Sequence, residues 1–170
     1  MNLYEATVPQ LTKMLKNLDL WLTKAEAHAK AKAFDVNTLL TARLAPDQYP
    51  LVKQIQGTCD AAKFTAFRLS GKEAPAHPDT EQTIEELHAR IGKCVDYLNT
   101  LTPGDFETAG TRWVTLPFMP GKKIIGQNYA VEIALPNFYF HLTTAYAILR
   151  HNGVDVGKTD YIGSVSVLDA

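Results

Sequence analysis

Residues 137–153 read NFYFHLTTAYAILRHNG, and the spacing of their apolar side chains decides the fold. Positions three and four apart share one face of a helix, so Asn137, Phe138, His141, Leu142, Ala145, Ile148 and Leu149 form one broad stripe. Asn152-Gly153 closes it as a helix-stopping pair. His141 thus sits among apolar neighbours, with Asn137 one turn before it. Such an imidazole either hydrogen-bonds through its ring nitrogens or holds a ligand, because an unsatisfied buried polar group costs roughly 1–3 kcal/mol. The pattern admits both a satisfied core histidine and a site histidine.

Working outward toward the N-terminus, this helix should begin near Gly126, with Pro136 inside it. A proline there removes one backbone hydrogen bond and bends the helix, immediately before Asn137. The preceding stretch TRWVTLPFMPGKKII (residues 111–125) breaks the helical rhythm. Val114, Leu116 and Phe118 alternate with Trp113, Thr115 and Pro117, and Pro120-Gly121 supplies a turn. A short hairpin or extended flap is expected, its prolines disfavouring a central strand. Trp113 is either ordinary packing or one wall of a ligand pocket.

Three more helices are expected upstream. The first runs from about Leu3 to Lys30 on the stripe Leu3, Thr7, Leu11, Met14, Leu18, Leu22, Ala25 and Ala29. Pro9 kinks it or marks its true start, and His28 belongs to its solvated end. The second follows Pro46, capped by Asp47, and is carried by Val52, Ile55, Cys59, Ala62, Ala66 and Leu69 until Gly71. Gln56 and Asp60 lie one turn apart at the edge of that stripe. The third opens after HPDT with Asp79 or Thr80 as cap and Glu81 in its first turn. Its core face is Ile84, Leu87, Ile91, Cys94, Val95 and Leu98, bordered by His88, and Pro103-Gly104 stops it.

Composition narrows the function. The 170 residues carry 17 basic and 18 acidic side chains, a formal net charge of −1, so there is no electrostatic footprint for nucleic acid or an anionic membrane. No run approaches the roughly 20 apolar residues that span a bilayer. The start MNLYEATVPQL lacks the features of a secretory signal, and Cys59 and Cys94 lack metal-site spacing. Both read as buried thiols in a cytoplasmic protein of one domain, residues 1–170.

The four-helix order, the closing run PNFYFHLTTAYAILRHNG followed by GKTDYIG, and YPLVKQIQGTCDAAKFTAFRLSG in the second helix together resemble an uncharacterised bacterial branch of the DinB/YfiT-like superfamily. The resemblance spans nearly the whole chain. It implies an all-α four-helix bundle, commonly a homodimer. It also implies a divalent-metal site of three histidines, one on the second helix and a His-x-x-x-His pair on the fourth, used in some relatives for thiol transfer or hydrolysis. On this chain His141 matches the second histidine of the pair, whereas Asn137 stands at the first. The second helix offers Gln54, Gln56 and Asp60 where the third histidine would be. Catalytic zinc wants about three good protein donors and an open position, and neutral amides suit hard cations. No cofactor is therefore expected, and His141 alone remains as a metal ligand.

Two function classes follow. In the first, the bundle binds a small molecule in an inter-helix pocket with a degenerate metal site, the ligand-binding residues being Gln56, Asp60, Trp113, Asn137, Tyr139 and His141. In the second, it is a metal-dependent hydrolase or thiol transferase in which His141 serves as base or ligand, aided by Asp60; imidazole suits proton transfer because its ordinary pKa is near 6.5. No Ser-His-Asp, Cys-His or phosphate-loop pattern names a partner for it.

Overall fold

Asparagine before a helical run is a strong N-cap. In the computed structural model, which describes residues 2–167, the Asn2 side chain accepts from the Glu5 N–H at 2.9 Å while the Glu5 carboxylate accepts from the Asn2 N–H at 3.0 Å. This capping box starts α1 (Leu3–Lys32), which carries Pro9 in its interior instead of beginning there. A connection with one 3-10 segment, Val36–Thr41, leads to α2 (Leu51–Ser70), which ends on Gly71 in the left-handed conformation at φ +77°. α3 (Ile84–Asn99) follows an extended loop. Two short strands, β1 (Trp113–Thr115) and β2 (Lys123–Ile125), pair antiparallel with Val114 opposite Ile124. The run 126–151, called α4, consists of an α turn Gly126–Asn128, a π segment Tyr129–Ala134 and an α-helix Leu135–His151. A last turn, α5 (Lys158–Ile162), closes the described chain.

α2 packs against both α3 and α4, and α1 also meets α3 and α4. The all-α bundle with a small hairpin between the third and fourth helices is thus present. The expected stripes meet at its centre. Leu11, Leu18, Leu22, Ile55, Cys59, Leu87, Cys94, Phe138, Leu142 and Ile148 are all fully buried, and burial of each large aliphatic side chain contributes about 1.5–3 kcal/mol. No helix among the described residues is long and apolar enough to cross a membrane. The C-terminal segment lies on α1, where Trp21 Nε1 donates to the Asp160 carbonyl at 3.1 Å and its ring stacks on Tyr161. Residues 168–170 fall outside the described residues.

Three local expectations are corrected. Pro50, not Asp47, stands at the N-cap of α2 and gives no side-chain cap bond. The α3 cap is Thr83, whose hydroxyl accepts from the Glu86 N–H at 3.1 Å in a second capping box; Asp79 and Glu81 are drawn instead to Arg90, at 3.0 and 2.9 Å. In the hairpin Val114 and Leu116 are buried as their alternation predicts, whereas Phe118 lies past the strand and is 70% exposed. Asp79 takes ion pairs with Arg90 of α3 and Lys53 of α2 in place of a cap bond.

Candidate functional site

Pro136 has no N–H, and its ring collides with the carbonyl four residues back in a regular α-helix. The chain meets this conflict with the π segment directly upstream, where the Leu135 N–H reaches the Ala130 carbonyl five residues back. The wider turn inserts the equivalent of one residue. Within it Tyr129, Ala130 and Ala134 are buried, and below it Phe138 and Leu142 are buried in turn. Between this segment and α2 runs a groove of about 220 Å³ lined by Gly57, Asp60, Ala61, Phe64, Thr65, Arg68, Phe118, Tyr129, Ile133, Ala134, Asn137 and His141.

His141 is half-buried at one end of this groove. Gly57 makes its position available: a Cβ there would lie 2.9 Å from His141 Cε1 and Nδ1, so the ring rests directly on the α2 backbone. Gln54, wholly buried, fixes the proton. Its Nε2 donates to the Tyr49 carbonyl at 3.1 Å, which turns Oε1 toward His141 Nδ1 at 2.9 Å. An amide oxygen only accepts, so Nδ1 carries the hydrogen and Nε2 keeps its lone pair. Burial holds the imidazole below its ordinary pKa, the Asp60 carboxylate acting in the opposite sense. The ring is therefore a neutral acceptor at neutral pH.

The expected site residues divide. Asp60 and Asn137 line the same groove as His141, Asn137 at its exposed rim. Gln56 does not: it is buried and donates to Glu81 at 2.7 Å. Tyr139 faces α1, its hydroxyl accepting from Gln10 Nε2 at 3.1 Å. Trp113 stands 57% exposed on the hairpin with Lys123 Nζ 4.3 Å above its ring, away from the groove lining. Sequence reasoning missed Gln54 as the orienting partner, and Phe64, Arg68 and Tyr129 as walls. Arg68 and Phe64 were one turn apart on α2 and legible as neighbours, but the face that α2 turns to α4 was not.

Beside the groove lies a charge cluster built on a buried cation. Arg90, with a side chain 1% exposed, bonds Asp60 at 2.9 Å, Asp79 at 3.0 Å and Glu81 at 2.9 Å, and Lys63 adds a 3.1 Å contact to Asp60. Burial pushes the Glu81 carboxyl upward, but hydrogen bonds from Arg90 and Gln56 outweigh it and hold the group below its ordinary range. Asp60 is thus committed to two cations.

That commitment bears on whether the groove fits a metal. The groove offers one neutral imidazole with a single free nitrogen, a carboxylate already matched by Arg90 and Lys63, and an amide at the rim. Among the described residues no group of three or more His, Cys, Asp or Glu side chains is placed to hold a metal ion. This donor set does not fit a catalytic divalent metal.

Residues 3–162 match the family described as a domain of unknown function, DUF1993. The fold is also similar to the crystal structure of a DinB family member protein from Shewanella denitrificans, with 47% sequence identity, a TM-score of 0.95, and coverage of 99% of this chain and 96% of that one. No curated protein matches the chain.

Proposed function

Since the chain belongs to the DUF1993 family, a family of unknown function, and shares the fold of a DinB family member, we propose that it is a small-molecule-binding bundle whose site is the groove between α2 and α4. The observation that carries this reading is the Gln54–His141 pair. A buried amide spends both its polar atoms on fixing one imidazole tautomer, which leaves the Nε2 lone pair without a hydrogen bond among the described residues, on a ring that lines the groove. A neutral acceptor there selects a ligand bearing a hydroxyl, amine or amide N–H. With about 220 Å³ available and roughly 30 Å³ per water in the liquid, the groove suits a ligand of small size.

A homodimer belongs to the same reading, since Leu20, Phe118, Val131 and Phe140 are each more than half exposed and a second copy would cover such surface. The two free cysteines support the cytoplasm as its setting. A thermal-shift screen of small polar compounds on the wild-type chain and on His141→Ala tests the site. Hits that stabilise the wild type and lose that effect in the variant are expected. Hits indifferent to His141, or stoichiometric metal that leaves on His141→Ala in untagged protein, would overturn it.

A further inference from the structure

The groove has a second end, and its chemistry is cationic. At about 1.5 Å per residue, Gly57 and Arg68 are some 16 Å apart along α2, so Arg68 is separated from the imidazole end. Its guanidinium lies 5.1 Å from the Phe64 ring centre and 5.7 Å from that of Tyr129. Its Nη1 donates to the Tyr129 hydroxyl at 3.0 Å. Among the described residues Arg68 has no carboxylate partner, in contrast to Arg90 with its three.

Tyr129 supplies the second, independent sign of a ligand. It is 2% exposed and lines the groove. A phenol has one hydrogen to give; its oxygen already accepts from Arg68, and among the described residues no acceptor takes its own O–H. A buried hydroxyl with an unspent donor beside a stacked, unpaired guanidinium is a pair of donors waiting for an anion. The Asp60 carboxylate further along the groove does not cancel them, because Lys63 and Arg90 hold it at 3.1 and 2.9 Å.

We propose that Arg68 and the Tyr129 hydroxyl form a carboxylate-binding subsite, so that the ligand of the groove is a small carboxylic acid with an apolar body seated against Phe64 and Phe118. The planar fork of Arg matches a carboxylate in two parallel bonds, and aromatic walls suit an apolar body more than a fully hydrated ion. The inference rests on the groove being a ligand site and names the class of compound it takes.

The test uses benzoate, benzamide and inorganic phosphate as probes, read by the side-chain Nε–H NMR signal of Arg68, which Arg68→Lys identifies by its loss. Benzoate is expected to shift that signal saturably. Benzamide should bind at least about tenfold more weakly, as should benzoate to Tyr129→Phe, which keeps the ring and removes only the hydroxyl. Equal binding of benzamide, tighter binding of phosphate, no saturation, or full affinity in a folded Tyr129→Phe chain would overturn the subsite. His141→Ala separates the two readings. Benzoate binding that survives it leaves the carboxylate end standing even if the thermal-shift screen shows no role for the imidazole.

Discussion

His141 shows how much of a side chain's chemistry is set by one neighbour. Its ring is neutral because burial disfavours the cation, against the pull of Asp60, and its tautomer is set because Gln54 turns an oxygen toward Nδ1. The unfolded chain therefore takes up the proton first as pH falls. The stability that comes from keeping this ring neutral is complete above about 6.5, the ordinary value, and is lost as pH drops through the unfolded and then the folded pKa. An NMR titration of the imidazole should give a midpoint below 6.5; a midpoint at or above that value would contradict the burial argument. Arg90 makes the opposite case. Its side chain is buried yet charged, matched by Asp60, Asp79 and Glu81, and Arg90→Ala would leave those carboxylates without their common cation. A loss of about 3–5 kcal/mol in urea unfolding is expected, whereas a change under 1 kcal/mol would mean that water already shares the load. At this scale the sequence showed that His141 and Asn137 share a face. It did not show that Gln56 would turn to Glu81 or that Tyr139 would pair with Gln10, because those choices depend on side chains 25 and 129 residues away.

The elements follow their local signals where those signals are unopposed. Gly71 ends α2 and Asn152-Gly153 ends α4, since a left-handed residue after the last turn suits glycine and few others. The π segment is the element that the sequence marked without describing. Pro136 announced a disturbed helix, and the disturbance takes the form of one widened turn before it. The two features offset each other. Deleting Glu132 would restore ordinary α spacing with the buried register intact on both sides, but would set the proline ring against a carbonyl at a cost of about 3 kcal/mol. Adding Pro136→Ala to the deletion should recover most of that loss. A double-mutant cycle by chemical denaturation measures the coupling; additive effects would show that the wide turn and the proline are unrelated. The same turn carries Tyr129, Ile133 and Ala134 to the groove.

Over the whole molecule, the bundle is closed by contacts between its two ends. Trp21 on α1 is covered by the C-terminal segment through the Asp160 carbonyl and the Tyr161 ring, and Lys24 pairs with Asp160 at 2.7 Å. A chain ending at Val156 should lose about 1–3 kcal/mol, the sum of an aromatic stack and a buried hydrogen bond, and its tryptophan emission should move to longer wavelength; unchanged emission would mean that Trp21 is buried without the tail. Periodicity alone determined that this chain makes four helices and a short hairpin, and which faces of those helices are buried, because a repeat near 3.6 is a property of consecutive residues. The tertiary structure alone decided that α2 presents Gly57, Phe64 and Arg68 to α4, that Trp113 stands off the groove, and that Asp79 serves Arg90 instead of capping a helix. The physical reason is range: a stripe is written in neighbours a few positions apart, whereas a groove exists only where two stripes, each legible alone, meet at an angle and depth that packing selects.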